Sequence, residues 1–289
     1  MSRSNTFLIL YHPLQTKSQL KNVRQHLDER ALDYCEMATS GDFCADLHSL
    51  QSYHGTVSRV IVLGGDGTLN LAVNAFANST LELALVPCGS GNDFARQWRC
   101  DERQWLEAAL FGESSYIDLG KVNERYFINI AGVGYDAAVV KACSGKRGPW
   151  AHLSYAWQGV RMLYRYAPSI LAFSSKQSHQ KQLLMMCLAN GQYFGGGMRL
   201  APSAKIADGF LQCVQIGAAS FWRQCQALIL SYQGKHAQLP QVDISKTEQL
   251  QVHTANIGIE ADGEYIGTTP ATFSVQKSAL RFVVPSALG

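Results

Sequence analysis

The sequence predicts two domains of different architecture: an N-terminal α/β domain with a mostly parallel sheet, and a β-rich C-terminal domain. The first observation is the pattern up to about residue 115, where strand-like apolar runs alternate with segments of helical spacing. The second is the change after that point, where short strands dominate and helices only interrupt them. We place the N-terminal domain at residues 1–120 and the C-terminal domain at 121–278.

The N-terminal elements follow from apolar runs and helical periodicity. Strands are predicted at 7–11, 33–37, 60–63 and 83–86. The first helix is predicted from an apolar stripe of helical spacing, made of Leu20, Val23, Leu27 and Ala31. Two later helices are predicted at 42–50 and 102–110. Because each strand is followed by a helix, we expect a sheet that is covered on both faces.

The C-terminal elements are mostly short strands. These are predicted at 116–122, 126–131, 169–174, 183–190, 210–216, 250–253, 256–260 and 272–275. Helices are predicted at 134–142, 151–166 and 220–231. Since consecutive strands are joined by short connections, we expect antiparallel pairing in this domain.

Composition excludes several classes of protein. The chain has 289 residues, 47% of them apolar, and a net charge of +3. Its longest apolar runs are strand-length, whereas a membrane span needs about 20 residues, and the polar N-terminus predicts no signal peptide. The eight cysteines form no C-x-x-C pair, so we expect reduced thiols and no zinc site. We therefore expect a cytoplasmic protein without a nucleic-acid partner, whose mild charge permits approach to an anionic membrane.

A glycine-rich run follows the third predicted strand. Residues 64–70, Gly-Gly-Asp-Gly-Thr-Leu-Asn, lead from the apolar run 60–63 into a segment of helical spacing. A helix start presents free backbone N–H groups and suits an anion, and glycines let a phosphate approach the backbone. Asp66 is unusual here, because a carboxylate repels phosphate unless a metal or a hydrogen-bond donor mediates. An ordinary strand–turn–helix corner is the alternative interpretation.

A second glycine-rich run follows the next strand. Residues 87–96, Pro-Cys-Gly-Ser-Gly-Asn-Asp-Phe-Ala-Arg, come after the apolar run 83–86, and Asn92 or Asp93 could cap a helix that starts here. If the two strands are neighbours in a parallel sheet, their carboxyl ends bring both runs to one edge. Together the two loops could then hold one polyphosphate.

These runs resemble the diacylglycerol kinase catalytic-domain family, which includes bacterial lipid kinases and is related to sphingosine kinases. The resemblance rests on Gly-Gly-Asp-Gly-Thr at 64–68 and on Asn-Asp-Phe-Ala-Arg at 92–96, with later matches at 208–211 and 262–264. It implies a nucleotide-binding N-terminal domain, a β-sandwich-like C-terminal domain and an active site in the cleft between them. It also implies that the last strand, about 279–289, returns to the first domain.

The resemblance implies an ATP- and Mg²⁺-dependent kinase that phosphorylates a lipid hydroxyl. Diacylglycerol, phosphatidylglycerol and a sphingoid base are the candidate acceptors. Nucleotide contacts are implied at Thr39, Gly64, Gly65, Asp66, Gly67, Thr68, Leu69, Asn70, Ser90 and Asn92. For Thr39, the position of an ordinary helix cap is an equal alternative.

Glu264 is the candidate general base, because the glutamate of the Asp-Gly-Glu motif has that role in relatives. A positioned carboxylate helps the proton of a hydroxyl to leave in the transition state. Asp66 is the rival base, or it binds Mg²⁺ through water. The alternative for the motif is a hairpin turn at Asp262-Gly263 between strands 256–260 and 264–266, and both interpretations can hold together.

Two further sites are implied by the resemblance. A structural Mg²⁺ would be held by Asp208 with the backbone carbonyls of Lys205 and Phe210, oxygen ligands of the kind that magnesium takes. The alternative is an Asp-Gly turn that enters a strand. Asp136 would contact the lipid head group, unless it is a helix N-terminal acid that stabilises the helix dipole.

The implied acceptor makes a membrane surface the expected partner, through peripheral association, and a homodimer is left open. In 151–166, aromatic and basic residues fit an interfacial helix, and packing on a sheet is the alternative. One rival function is an NAD kinase-like phosphotransferase of a soluble acceptor. Another is a non-catalytic, nucleotide-binding regulatory protein.

Overall fold

The computed structural model of the chain describes residues 6–14, 16–143, 159 and 161–285. The chain forms two compact units: Met1–Asp118 with Lys277–Gly289, and Leu119–Gln276. Most of the helix predicted at 151–166 lies outside the described residues. Within the described ranges, no helix is both long enough and apolar enough to cross a bilayer.

The N-terminal unit is built on a parallel sheet. Its strands run in the order β2 (Tyr34–Ala38), β1 (Phe7–Tyr11), β3 (Arg59–Gly64) and β4 (Glu82–Pro87), and all neighbours are parallel. The end of the last strand, β15 (Ala271–Val283), pairs with β4 in the same direction. The central strands β1, β3 and β4 are almost wholly buried, as expected for a sheet covered on both faces. The predicted α/β domain with a mostly parallel sheet is confirmed.

Four helices accompany this sheet: α1 (Lys17–Asp28), α2 (Phe43–Gln51), α3 (Asp66–Phe76) and α4 (Glu102–Phe111). Helix α1 buries Leu20, Val23 and Leu27, as the apolar stripe predicts. Ala31, the fourth member of that stripe, is not helical. It lies beyond the end of α1 with a φ of +49° and is exposed, because the chain turns there towards β2.

The C-terminal unit is an antiparallel, β-sandwich-like domain, as predicted. Its elements are the second part of β5 (Ser114–Val122), β6 (Arg125–Phe127), β7 (Ile130–Gly134), α5 (Tyr135–Cys143), β8 (Ser169–Ser174), β9 (Ser178–Ala189), β10 (Leu211–Gly217), α6 (Phe221–Ser231), β11 (Val242–Thr247), β12 (Gln249–Val252), β13 (Gly258–Ala261), β14 (Glu264–Thr268) and the first part of β15. Strand β9 pairs with β7, β8 and β10, and β13 pairs with β7 and β14.

Strand β9 separates two apolar cores. Met186 and Leu188 pack into one core with Phe173 and Phe273. The alternate residues Met185, Cys187 and Ala189 pack into a second core on the other face of the sheet, with members that include Leu200 and Val214. Because successive side chains of a strand point to opposite faces, one buried strand supports both layers.

Three strands differ from their prediction. The run 126–131 forms two strands, because the N–H groups of Ile128, Asn129 and Ile130 donate to the Asp262 carboxylate and residues 128–129 leave the ladder. Strand β11 carries polar side chains and was not predicted. The run 272–275 is part of the 13-residue β15.

Glu82 joins three strands of the N-terminal unit at the amino ends of β3 and β4. Its Oε2 accepts from Arg59 Nη2 at 2.7 Å, and its Oε1 accepts from Arg281 Nη2 at 2.7 Å and from Ser114 Oγ at 2.8 Å. Burial raises the pKa of Glu82, but the hydrogen bonds from Arg59 and Ser114 together with the charges of both arginines lower it by more. The net pKa lies below its ordinary value, so this network stabilises the fold at neutral pH and the contribution is lost as pH falls through that lowered pKa.

We expect Glu82→Gln to lower the free energy of unfolding at pH 7 by about 1–2 kcal/mol, because two largely buried arginines lose their counter-charge. Urea unfolding followed by circular dichroism measures this difference. Glu36→Gln is the matched control, since the Arg24–Glu36 pair is more exposed and should contribute about 0.5 kcal/mol. Equal losses of unfolding free energy in the two variants would show that the ion pairs of Glu82 contribute no more than an ordinary surface pair.

Candidate functional site

The two glycine-rich loops lie next to each other at one edge of the parallel sheet. Strands β3 and β4 pair in register, with Gly64 opposite Pro87, so their carboxyl ends deliver both loops to the same place. Helix α3 begins at Asp66, immediately after the first loop leaves β3. Both predictions, neighbouring loops and a helix that starts within the first loop, are confirmed.

The loops touch backbone to backbone at Gly65 and Gly89. A Cβ atom on Gly89 would lie 2.5 Å from the Cα of Gly65, and one on Gly65 would lie 3.0 Å from the Cα of Gly89. Backbone atoms cannot give way as the end of a flexible side chain can. The glycine at position 89 is therefore required by this contact, whatever ligand the loops hold.

The Asp66 carboxylate links the two loops. Its Oδ2 accepts from the N–H of Asp93 at 3.1 Å, and its Oδ1 accepts from the N–H of Phe94 at 3.0 Å. The negative charge of Asp66 is thus matched by backbone hydrogen-bond donors. Such donors are what a carboxylate needs if it is to lie in a loop that suits phosphate. Both oxygens of the rival general base are engaged within the protein.

The second loop is closed by Asn92 rather than by a helix cap. Asn92 has a φ of +49°, its Oδ1 accepts from the N–H of Gly89 at 2.9 Å, and its Nδ2 donates to the Gly89 carbonyl at 2.7 Å. The predicted helix is only a three-residue 3₁₀ turn at Ala95–Gln97. The prediction that Asn92 or Asp93 caps a helix here is wrong, because the Asn92 side chain is used to fix the loop.

The second loop is also anchored in the core by Phe94, the aromatic residue of the Asn-Asp-Phe-Ala-Arg run. Its ring lies 5.2 Å from Trp98 and 5.3 Å from Phe282 between centroids, in edge-to-face contact with both. Phe282 belongs to the part of β15 that pairs with β4. This packing role of Phe94 was not predicted, although a large apolar residue inside a polar loop is a signal for one.

The remaining positions of the first loop divide by exposure. Gly67 is exposed, with open space around its Cα, and Thr68 is half-buried, so both are accessible to a ligand. Ser90 in the second loop is exposed as well. Leu69 and Asn70 are fully buried, so a nucleotide in the loop would not reach them. We therefore give these two residues a packing role in place of the predicted contact.

Thr39 directly follows β2 at the carboxyl edge of the same sheet. Its N–H donates to the carbonyl of Tyr11 at 2.9 Å, and its side chain is half-buried. It does not cap a helix, because the cap of α2 is Asp42, whose carboxylate accepts from the N–H groups of Cys44 and Ala45. The helix-cap alternative is wrong, and the nucleotide contact stays a prediction.

In the C-terminal unit, Asp262 and Gly263 form the predicted hairpin turn between β13 and β14. Their φ values of +47° and +83° suit the two-residue turn that joins twisted antiparallel strands. The Asp262 carboxylate accepts three backbone N–H groups, from Ile128, Asn129 and Ile130, at 2.9–3.1 Å. This aspartate therefore fixes the hairpin to the start of β7.

The hairpin presents Glu264 in an ion pair with Arg125. Glu264 Oε2 lies 2.6 Å from Arg125 Nη2, and the glutamate side chain is 43% exposed while that of Arg125 is 18% exposed. The pair orients the carboxylate and leaves it open to solvent. Arg125 was not predicted as a site residue, because 139 residues separate it from Glu264 and no local pattern marks it.

Asp136 lies in the first turn of α5, and its carboxylate is buried. Its Oδ1 accepts from the N–H of Ala137 at 2.8 Å, and the Cys187 thiol donates to its Oδ2 at 3.2 Å. With 4% of its surface exposed, Asp136 does not present a carboxylate to a lipid head group. The structure supports the alternative, a helix N-terminal acid that belongs to the fold.

A second buried acid, Glu260, accompanies Asp136. Its Oε2 accepts from the N–H of Gly263 at 2.9 Å, and the residue is fully buried. Burial raises the pKa of both carboxyls, to about 6 for Asp136, and the Asp136 charge raises the pKa of Glu260 further. The sequence did not predict that these two acids form a buried pair, because they lie on different elements.

The predicted metal position at Asp208 is occupied by protein partners. Asp208 Oδ2 lies 2.7 Å from the Lys246 ammonium, and Oδ1 accepts from the N–H of Phe210 at 3.1 Å; Lys205 is exposed nearby in sequence. A metal ion there would have to displace the Lys246 ammonium. In the part of the chain that the structure describes, no group of three or more His, Cys, Asp or Glu side chains could hold a metal. The predicted Mg²⁺ site is of another kind, with one carboxylate and two backbone carbonyls, and it stays a prediction.

We expect Gly89→Ala to lower the free energy of unfolding by about 1–3 kcal/mol, because the added methyl group meets the Gly65 backbone. Gly67→Ala is the matched control. It lies in the first turn of α3 with open space around it, so its stability should be unchanged or raised by about 0.5–1 kcal/mol. Urea unfolding of both variants measures the difference, and a Gly89→Ala variant as stable as the parent would contradict the close contact.

We expect the stability of the C-terminal unit to fall as pH rises through about 6, the raised pKa of Asp136. The sign follows because the folded state prefers the protonated acid, so its stabilising contribution is present below the ordinary value of 3.8 and lost above about 6. Asp136→Asn should weaken this pH dependence, and the part that remains is due to Glu260, whose pKa is also raised by burial. Unfolding at a series of pH values measures it, with the exposed Asp243→Asn as the control; the same pH dependence in both variants would refute the assignment.

Two family models together match most of the chain. The diacylglycerol kinase catalytic domain matches residues 7–122, and the YegS C-terminal NAD kinase beta sandwich-like domain matches residues 129–284. The first match contains both glycine loops, and the second contains the Asp262–Glu264 turn. The second match alone spans more than half of the chain.

Known proteins agree with this assignment. A diacylglycerol kinase of Staphylococcus carnosus is 27% identical over 96% of this chain and 94% of its own length, and one of Staphylococcus aureus is 28% identical over 92% and 88%. A solved structure from Bacillus anthracis, described as a diacylglycerol kinase, has the same fold, with a TM-score of 0.72, 16% identity and full coverage of both chains. The chain therefore belongs to the family in which a diacylglycerol kinase catalytic domain is followed by a YegS-type C-terminal NAD kinase β-sandwich-like domain.

Proposed function

We propose that this protein transfers the γ-phosphoryl group of ATP to the hydroxyl group of a membrane lipid, with diacylglycerol as the first candidate. The observation that carries the proposal is the pair of glycine loops at the carboxyl ends of β3 and β4, held together by Asp66. Phosphoryl transfer depends mainly on positioning and on stabilising charge, and such a pair of loops supplies both.

The first loop is suited to a polyphosphate. Helix α3 starts at Asp66, so the N–H groups of its first turn and its dipole point to the loop surface. Gly67 leaves that surface open to a close approach, and Thr68 and Ser90 offer hydroxyl donors. These contacts remain available because the Asp66 charge is already matched by the N–H groups of Asp93 and Phe94.

Mg²⁺ enters this proposal with ATP, as the nucleotide's own counter-ion and part of the substrate. It neutralises charge that develops on the transferred phosphoryl group. No step is assigned to a second, resident metal, because the Asp208 carboxylate is paired with Lys246.

Glu264 is the proposed general base. Its carboxylate is accessible and is oriented by Arg125, and the Asp262–Gly263 turn is fixed to the backbone at 128–130. The rival, Asp66, has both oxygens engaged by backbone donors, which supports a structural role for it. A carboxylate that accepts the hydroxyl proton as the new P–O bond forms contributes typically about 10²–10⁴-fold in rate.

The acceptor follows from the relatives, several of which are diacylglycerol kinases. Such an acceptor would place the protein transiently at a membrane surface, in keeping with the expected cytoplasmic, peripheral location. A second candidate acceptor is NAD, because the C-terminal unit matches a domain described as NAD kinase-like.

The direct test is transfer of radiolabelled phosphate from ATP with Mg²⁺ to a panel of lipids in mixed micelles, with NAD in a parallel reaction. Label on diacylglycerol supports the proposal, and label on another lipid changes only the acceptor. Label on NAD alone would establish the second candidate. If ATP binds and nothing is labelled, the protein is a nucleotide-binding regulator and the proposed activity is wrong.

We expect Glu264→Gln to lower kcat by about 10²–10⁴-fold while the KM for ATP stays near that of the parent protein, because the proton acceptor is lost and the glycine loops are intact. Steady-state kinetics measure both constants, and thermal unfolding checks the fold. Glu248→Gln is the control, an exposed glutamate of the same unit. A kcat within about threefold of the parent value would assign the base role elsewhere.

A further inference from the structure

Large apolar side chains are exposed on one side of helix α6 and on a helical segment at 161–165. Trp222 and Ile229 on α6 are 78% and 67% exposed, and Tyr164 is 78% exposed. The buried residues Gln224, Ala227 and Ser231 lie on the other face of α6. Core packing therefore does not explain why this helix carries a tryptophan and an isoleucine on its outer side.

The exposed side chains form one surface. The ring of Tyr164 lies 5.7 Å from the ring of Phe221 in edge-to-face contact, and Phe221 lies 5.3 Å from Trp222. Trp222, Gln226 and Ile229 share a stripe because they are four and three residues apart along the helix. We call the surface made by α6 and 161–165 the α6 face.

The α6 face carries positive charge. Arg161 and Arg165 are exposed beside Tyr164, and Arg223 is exposed next to Trp222. Within the described ranges, none of these three guanidinium groups has a carboxylate partner within ion-pair distance. Long cationic side chains beside aromatic rings are typical of the interface between lipid head groups and acyl chains.

The charge of the surrounding chain is strongly partitioned. Residues 137–242 contain eleven Lys and Arg residues but a single acid, Asp208, although the whole chain has 25 basic and 22 acidic residues. That acid is itself paired with Lys246 at 2.7 Å. The modest net charge of +3 is thus the sum of a basic segment, 137–242, and an acidic remainder of the chain. Such a segment is attracted to an anionic surface and repelled by a second copy of itself.

We propose that the α6 face docks the protein on a membrane surface that contains anionic phospholipid. The aromatic and aliphatic side chains would enter the head-group region, while Arg161, Arg165 and Arg223 contact lipid phosphates. This inference rests on the proposed function only in that a lipid acceptor makes a membrane the place of work. Two copies of the face would bring like charges together, which disfavours a symmetric dimer as the occupant.

The test is co-sedimentation of the full chain with vesicles of phosphatidylcholine alone or of equimolar phosphatidylcholine and phosphatidylglycerol. We expect binding to the anionic vesicles that weakens with added salt. The double variant Trp222→Ala, Ile229→Ser should bind these vesicles at least about tenfold more weakly than the parent protein. The double variant Arg165→Glu, Arg223→Glu should show a loss of the same size. Both changes lie at exposed positions, so the fold should be retained, which thermal unfolding checks.

Matched controls are available in the same unit. Ile170→Ser changes an isoleucine that is 56% exposed on β8, and Lys121→Glu reverses a charge in the same unit outside the basic segment 137–242. Both should bind vesicles as the parent protein does. Loss of binding in the controls and the variants alike would show a general charge effect and overturn the assignment of this face.

Other outcomes separate this inference from the proposed kinase activity. If the α6-face variants lose phosphorylation of vesicle-embedded diacylglycerol but keep it with a dispersed short-chain acceptor, both proposals stand. If vesicle binding is as described and no lipid is phosphorylated, only the kinase proposal fails. Unchanged vesicle binding in the α6-face variants would overturn the docking proposal. So would a smaller oligomeric mass of these variants than of the parent protein in sedimentation velocity, or tighter binding of the parent protein to duplex RNA than to vesicles.

Discussion

The contact between Gly65 and Gly89 is the constraint on which the N-terminal site depends. Parallel pairing of β3 with β4 brings the two loops to the same edge, but only the absence of side chains lets their backbones meet. Asp66 then uses both of its oxygens to hold the second loop at Asp93 and Phe94. A motif that resembles a pure ligand-binding sequence is therefore also a packing motif, because close backbone approach and phosphate access require the same residue type.

In the C-terminal unit, neighbouring acidic residues with different roles position the candidate general base. The Asp262 carboxylate accepts hydrogen bonds from three backbone N–H groups and so fixes the turn. Glu264, two residues later, stays accessible beside Arg125. Beneath them, Glu260 accepts from Gly263 in a fully buried setting where burial and the Asp136 charge raise its pKa. Three acids within five residues thus have three different environments, and of these only Glu260 is fully buried.

The division of charge along the chain connects this architecture with the proposed work at a membrane. The basic segment 137–242 includes α6, and the acidic residues considered above as ligands or base lie almost entirely outside it. Attraction to an anionic surface acts over about 10 Å at moderate salt, so such partition would orient the molecule before any specific contact forms. The apolar side chains of the α6 face act at shorter range, once that surface has been reached.

The sequence by itself determined the two architectures, the two glycine loops, the start of α3 and the Asp262–Gly263 hairpin, because these depend on periodicity and turn chemistry between neighbouring residues. Only the tertiary structure decided that Asn92 closes a loop instead of capping a helix, that Leu69, Asn70 and Asp136 are buried, and that Lys246 occupies Asp208. The pairing of Arg125 with Glu264 spans 139 residues, and the link from Asp66 to Phe94 spans 28. Such contacts arise when strand pairing brings distant segments together, and no pattern of neighbouring residues encodes them.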